Sequence, residues 1–396
     1  MAGIAKIQLK TQHLILYTEL DQGMVFHTIK QSLYQLPPLS ISLLLAIDEG
    51  LNKQAVIDKI SALSQLAKAK LLAPYDKVAA LFSTQIEPAA YIDGKYPEFF
   101  TAISSCLVAE KSQFNTYQIA QTTFLIETNH KELCEEISKL LAPCKQTKAE
   151  VDFQITIEEA SENPNLFTIV NNGLKIENNL PLDHVLPHLI DRLQILSFQK
   201  TNYQYCFHGA AIKTEFGNLL LPGSSGAGKS TLSAILANDN SALFSDEMIV
   251  LDDHFQLTTI NLPIAIKSGS WPYLMDIYPE LKSQTVWQRE DGRKLKYIWP
   301  LNFAQEEQTT AVNKTLLINP CYKKSADKHE AHQVELSIID TITLMTKGGY
   351  QVAHQLTDVK VERLINFLAK VSCYKITYQS SEQALITLKQ LWQDQK

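Results

Sequence analysis

The chain has 396 residues, a formal net charge of −6 and 45% hydrophobic residues, enough apolar material for two or three packed domains. The acidic balance argues against nucleic acid or an anionic membrane as the main partner, since either normally goes with a basic excess or a clustered basic patch. No apolar run is long enough to span a bilayer, residues 1–20 lack a charged start followed by a long apolar core, and the six cysteines show no C-x-x-C pair. A cytoplasmic protein without a disulfide framework is expected.

In chain order, Leu14–Tyr17 and Val25–Ile29 read as strands around a turn at Asp21-Gln22-Gly23. Leu39–Ile47 is apolar enough for a buried helix, with Gly50 as its stop. Asn52 then caps a second helix that carries Val56, Ile60 and Leu63 on one face. The sequence Leu33-Tyr34-Gln35-Leu36-Pro37-Pro38 into an apolar helix, Asp48-Glu49-Gly50, then Gln54 to Ile60, resembles the PqqD-like peptide-recognition domain over about the first eighty residues. That resemblance implies a small winged-helix module that binds the leader segment of ribosomally made, modified peptides; a generic helical cap is the alternative.

Pro88, Gly94 and Pro97 end the helical periodicity and mark a boundary. Beyond it, Thr122–Glu127 reads as a strand, and Asn129 with Glu132 as a capping box for a helix through Leu141. Val151, Phe153, Ile155 and Ile157 alternate as a half-buried strand. Leu166–Val170 turns at Asn171-Asn172-Gly173 into Leu174–Ile176. This α+β stretch carries no evident chemistry and is expected to pack or to frame a substrate. A helix over Leu182–Phe198, interrupted near Pro187, leads into a strand over Tyr205–Ile212.

The stretch Gly223-Ser224-Ser225-Gly226-Ala227-Gly228-Lys229-Ser230-Thr231 matches G-x-x-x-x-G-K-[ST], between the apolar run Leu219–Leu221 and a helix start at Ser230. Its glycines let backbone N–H groups converge on phosphates, Lys229 supplies a cation, and the Ser230 hydroxyl suits magnesium. A turn at Thr214–Gly217 would pair Lys213 with Asn218 and set His208 opposite Gly223, beside the loop. A helix to about Asn238 leads the chain about 15 Å away, and a strand over Ala242–Asp246 returns it by about 16 Å. Asp246 and Glu247 therefore return to Lys229 and Ser230, where carboxylates suit magnesium and acceptance of a hydroxyl proton. Asp252-Asp253, six extended residues further on, would lie up to about 20 Å from Asp246.

Together, His208-Gly209, the loop, Ser245-Asp246-Glu247 and the segment Leu262–Ser270 resemble the HPr kinase/phosphorylase-like group, which shares its nucleotide-binding core with phosphoenolpyruvate carboxykinases. The likeness covers roughly residues 95–396. It implies ATP and magnesium at Gly223–Thr231, a metal held by Ser230, Asp246 and Glu247, Asp246 as the base for an acceptor serine, and His208 and Lys229 at the reaction centre. Lys267 corresponds to the lysine that ends a strand in HPr-kinase-related proteins. The pair is Asp-Glu where HPr kinases have Asp-Asp, and their C-terminal signature is missing, so HPr itself is not the expected substrate. Arg289 and Arg293, in a polar loop after the Lys267 strand, are candidates to clamp phosphate through their planar forks. His329 and His332 have no third metal ligand nearby. Beyond Glu335 the pattern is helical, with a strand over Cys373–Tyr378 and a last helix over Glu382–Trp392.

The expected architecture is α/β: a PqqD-like winged-helix module over 1–88, an α+β segment over 89–200, and an HPr kinase-like P-loop domain over 201–396. The expected activity is an ATP-dependent kinase acting on a Ser/Thr hydroxyl of a precursor peptide or small protein, with a homo-oligomer left open. A kinase of a small hydroxyl metabolite, a carboxykinase-like enzyme and a nucleotide-gated binding protein without turnover are the competing readings.

Overall fold

The computed structural model describes residues 3–85, 106–107, 115–147, 150–160, 163–223, 225–238, 241–303, 314–323 and 331–394. The expected boundary at Pro88, Gly94 and Pro97, and the residues Ser224 and His329, lie outside them. The protein is mixed α/β, and among the described residues no helix is long and apolar enough to cross a membrane.

The chain divides into two compact units. The first joins Met1–Tyr91 to Val334–Lys347 and Val352–Tyr374. It holds an antiparallel four-stranded meander, Ala5–Gln8, Leu14–Glu19, Gln22–His27 and Ser32–Leu36, followed by helices Pro38–Asp48, Lys53–Ser64 and Lys68–Ala79. Gly50 follows the first helix at φ +89°, and Asn52 Oδ1 accepts the Ala55 N–H at 2.9 Å to start the second, as the sequence signals require. Val56 and Ile60 are buried, whereas Leu63 is exposed.

The central hairpin is buried on both faces. Leu14, Leu16 and Val25 pack into one core with Leu43, Leu44 and Val56. Ile15, Tyr17, Met24 and Phe26 point the other way and are equally buried. That second face belongs with the helices Ile338–Lys347 and Asp358–Leu368, which the sequence reading assigned to the third domain. Continuous apolar runs such as Leu14-Ile15-Leu16-Tyr17 suit strands covered on both sides. Ser337 caps the first of these helices, with its Oγ 3.0 Å from the Asp340 N–H and 2.9 Å from Asp340 Oδ2. Buried Glu19 accepts the Ile339 N–H at 3.1 Å, and Gln22 Nε2 donates to Asp340 Oδ2 at 2.8 Å. The first unit's N-terminal segment ends at Tyr91, close to the expected boundary at 88, but no division falls at 200, and the N-terminal sheet completes its core with chain from beyond residue 333.

The second unit comprises Ile92–Gln333, Gly348–Gln351 and Lys375–Lys396. One sheet runs in the order Leu174–Pro181, Asn163–Asn171, Phe153–Ala160, Thr122–Thr128, Thr116–Ile119 and Lys145–Gln146. The helix Lys131–Leu140 makes the crossover between its parallel pair, Thr122–Thr128 and Phe153–Ala160. That helix is capped by His130, whose Nδ1 accepts the Leu133 N–H at 3.3 Å, and not by the expected Asn129. A ring nitrogen placed three residues before the acceptor-seeking N–H does the work of a side-chain oxygen. Leu182–Lys200 runs unbroken through Pro187, against the expected interruption. Val185, Leu186, Leu189 and Leu193 bury against Phe153, Ile155, Phe167 and Ile169, and this packing outweighs the one backbone hydrogen bond that proline removes.

A second sheet places Ala242–Ser245, Tyr205–Lys213, Asn218–Pro222, Thr315–Tyr322 and the strand ending at Tyr378 side by side. A third has the order Ile264–Lys267, Lys294–Ile298, Trp287–Gln288. Removing the Glu19 carboxylate leaves the Ile339 N–H without an acceptor. Glu19→Ala is expected to lower the free energy of unfolding by about 1–3 kcal/mol in urea titration; unchanged stability would contradict this account of the helix start.

Candidate functional site

The site is built where the hydrogen-bond ladder around Tyr205–Lys213 breaks on both sides. On one side that strand pairs with Asn218–Pro222 from Lys213↔Asn218 to Gly209↔Pro222, the register expected from the Thr214–Gly217 turn. Past Pro222 the neighbour leaves as the glycine-rich loop, and the His208 N–H donates instead to Gly349 O at 3.0 Å. On the other side Ala242–Ser245 pairs with residues 211–213, and Met248–Leu251 pairs with 205–208. Asp246 and Glu247 form the kink between these two strands. Glu247 takes φ +79°, and its carbonyl accepts the Gly209 N–H at 3.0 Å. Gly209 sits at the crossing, where a Cβ would lie 2.7 Å from both Leu221 O and Ile249 Cδ1. The backbone approach that brings kink and loop together has no room for a side chain.

The loop ends at Gly228, φ +95°, and the helix Lys229–Leu236 begins there. Lys229 is 7% exposed; its Nζ donates to Gly223 O at 2.8 Å and lies 3.2 Å from His208 Nε2. His208 Nδ1 is 3.2 Å from Glu247 Oε2. The arrangement fits a neutral imidazole that accepts from the ammonium at Nε2 and donates from Nδ1 to the carboxylate. Burial holds the His208 pKa below its usual value, with Glu247 opposing and Lys229 assisting. Burial likewise lowers Lys229, with Glu247 and Asp246 opposing.

Asp246 is the most perturbed group of the cluster. Burial, and after it the neighbouring Glu247 charge, push its carboxyl up to about 7. Ser230, Ser233 and Lys229 lower it in part, yet neither carboxylate oxygen has a partner in hydrogen-bonding geometry among the described residues. Ser233 Oγ donates to Lys229 O at 2.9 Å instead. Two buried oxygens without partners, beside the hydroxyl of Ser230 and a phosphate-type loop, fit a magnesium ion. That ion takes one or two carboxylates and fills its shell with water and phosphate oxygens. Behind the pair, Gln194 Nε2 reaches Asp246 O at 3.3 Å, and Asp191, Arg289 and Tyr297 line a small cavity shared with Asp246 and Glu247. Burial raises the Asp191 pKa, and Arg289 opposes it.

No protein-family model matches this chain, and no curated protein matches it. Function must therefore be argued from the geometry.

Ser225 Oγ accepts from Lys267 Nζ at 2.9 Å and from Arg293 Nη1 at 2.8 Å, so both cations sit over the loop. Burial lowers the Lys267 pKa, Glu247 opposes it, and the two arginines lower it further. Arg289 is directed elsewhere, with its Nη2 3.2 Å from Asp191 Oδ2 behind the acidic pair. The Arg289–Arg293 turn closes on itself through the Arg289 N–H to Arg293 O bond of 2.9 Å. Thr231 Oγ1 bonds Ser270 Oγ at 2.7 Å, and Ala227 O accepts the Tyr322 N–H at 3.4 Å. Asp252, at the far end of the kinked strand, serves a turn by accepting the N–H groups of His254 and Gln256 at 2.8 and 2.7 Å. His332 lies on an exposed strand, and the described residues hold no group of three or more His, Cys, Asp or Glu suited to a metal.

The loop, His208, Glu247 and Lys267 open into a cavity of about 570 Å³ that is also lined by Tyr273, Tyr322, Tyr378 and Glu382. These four carry no local sequence signal, since they come from segments far apart in the chain and from no motif. Tyr378 also explains the last glycine of the loop, because a Cβ on Gly228 would lie 2.5 Å from the Tyr378 hydroxyl. Gly228→Ala combines that clash with a left-handed backbone, and about 1–2 kcal/mol of stability should be lost through the backbone alone. A lower Tm together with weaker binding of inorganic tripolyphosphate is expected; a variant equal to the parent in both would contradict the loop geometry.

Proposed function

We propose that the chain is an ATP-dependent kinase that transfers the γ-phosphate to a Ser or Thr hydroxyl. The observation that carries this reading is the buried Asp246 carboxylate beside Lys229, whose oxygens have no partner in good hydrogen-bonding geometry among the described residues. A pKa near neutrality is what a general base needs at physiological pH, and a group that only binds a metal has no use for it. Lys267 and Arg293 add two cations over the same loop at Ser225.

In this reading Lys229 and the loop N–H groups hold the β- and γ-phosphates, and Lys267 and Arg293 meet charge on the transferring group. The acceptor hydroxyl gives its proton to Asp246 as its oxygen bonds to the γ-phosphorus. The bond from that phosphorus to the β–γ bridging oxygen breaks, and ADP departs with the electron pair. Bound magnesium, held by Ser230, Asp246 and Glu247, would neutralise phosphate charge. Glu247 orients the His208 ring while burial keeps it neutral, so that Nε2 shares the Lys229 ammonium. The N-terminal unit supports a peptide or small protein as the acceptor by its resemblance to leader-binding domains. A tethered leader would raise the local concentration of the acceptor residue toward the millimolar range, leaving the pocket to recognise little more than a hydroxyl.

Lys229→Ala is expected to abolish ATP binding in calorimetric titration, and unchanged affinity would remove the loop from the mechanism. With labelled ATP and candidate peptides, Asp246→Asn should retain most nucleotide affinity and lose transfer. Label on a free metabolite alone would assign a small-molecule kinase; transfer by neither form would leave a nucleotide-gated binding protein.

The same carboxylate makes a stability prediction. Its folded pKa lies above the unfolded value, so its stabilising contribution is present at low pH and is lost as pH rises through about 7. In metal-free buffer at pH 8, Asp246→Asn should melt above the parent by about 2 °C or more, with the difference shrinking at pH 5. A lower Tm at pH 8 would show that the charged form is stabilised in the fold.

A further inference from the structure

The loop accounts for part of the lining of the 570 Å³ cavity, but not for the tyrosines that line it beside the loop. Three tyrosines converge there from separate parts of the second unit. Tyr378 is nearly buried, and its hydroxyl abuts Gly228, so its ring is a wall continuous with the loop. Tyr322 lies 6.0 Å from it, centroid to centroid, with the rings inclined at 58°. Tyr273, on the short helix after Lys267, lines the same cavity. Tyr273 is 63% exposed and Tyr322 40% exposed. Large rings left open at the rim of an apolar cavity mark a surface that a ligand covers. Leu232, Ile235 and Leu385 add apolar lining, and the turn Gln379–Ser381 and Glu382 add polar lining.

The position of these rings favours one occupant. The turn after Tyr378 and the end of Thr315–Tyr322 are the C-terminal ends of neighbouring strands in the sheet that launches the loop. In open sheets of this kind, ligands lie across the strand ends, and a group attached to phosphates on the loop is directed over the start of the helix Lys229–Leu236. We infer that the tyrosine-lined part of the cavity is a nucleobase subsite, in which the base of a nucleoside triphosphate stacks on Tyr322 between Tyr273 and Tyr378. This rests on the reading of Gly223–Thr231 as a triphosphate site and adds to it the residues that hold the base.

Titration of the full chain with ATP and with inorganic tripolyphosphate separates the two parts of the cavity. The parent should bind ATP more tightly than tripolyphosphate. Tyr322→Ala should weaken ATP by about 5- to 150-fold, the range that loss of one base–aromatic stack gives, and leave tripolyphosphate affinity unchanged. Tyr322→Phe, which keeps the ring and loses the hydroxyl, should bind ATP as the parent does. Tyr322 is partly exposed, so the tripolyphosphate arm also reports that the variant is folded. The subsite is overturned if ATP binds no more tightly than tripolyphosphate, if Tyr322→Ala leaves ATP affinity unchanged, or if the variant weakens both ligands equally. Binding of tripolyphosphate without any gain from the base would overturn the subsite alone. Failure of the parent to bind either ligand would overturn the triphosphate reading and the subsite with it.

Discussion

A buried carboxylate whose oxygens find no partner in good hydrogen-bonding geometry among the described residues is expensive, and the fold around Asp246 is organised to maintain one. The strand that begins at Ala242 cannot continue past Ser245 in the ladder, because the next two residues are turned out of it and the pairing resumes only at Met248. On the opposite edge of the same central strand, the ladder stops at Pro222 so that the glycine-rich loop can leave. Both interruptions meet at His208-Gly209. An antiparallel pair with no breaks would have nowhere to bring the acidic pair together with the imidazole that bridges Glu247 and Lys229. Strain is concentrated at one point, where Glu247 is left-handed and Gly209 has no room for a Cβ.

The neighbouring layers hold this arrangement in place. The long helix Leu182–Lys200 buries its apolar side in the first sheet of the second unit and presents Gln194 and Asp191 to the rear of the acidic pair. Asp191 and Arg289 form an ion pair at the edge of that cavity, so the rear of the site is polar but balanced. The N-terminal sheet is not an appendage. Its hairpin is buried on both faces, and its partners include helices from residues 338–368, so any ligand it binds acts on a unit woven from both ends of the chain.

Much of this was readable from sequence where one local rule decided the outcome. The G-x-x-x-x-G-K-[ST] spacing placed the loop, and the Thr214–Gly217 turn fixed a register that put His208 beside it. Strand and helix rise alone returned Asp246 and Glu247 to Lys229. Local rules failed where packing or distant partners decide. Pro187 signals a break, but the apolar face around it keeps the helix whole. Asn129 is the better capping residue by type, yet His130 stands at the right place. Arg289 and Arg293 look equivalent in sequence, and only the tightness of their turn sends one toward Ser225 and the other toward Asp191. The tyrosine cluster, and the joining of residues 334–374 to the N-terminal sheet, depend on contacts hundreds of residues apart that no window of sequence contains.

The central claim is that Asp246 faces the phosphates of a nucleotide on the loop and shares their metal. Anomalous diffraction from crystals grown with manganese and a slowly hydrolysed ATP analogue tests it most directly. The account predicts triphosphate on Gly223–Thr231 and a manganese peak beside Asp246 and Ser230. Nucleotide bound away from the loop, or manganese bound without Asp246 near it, would contradict the account.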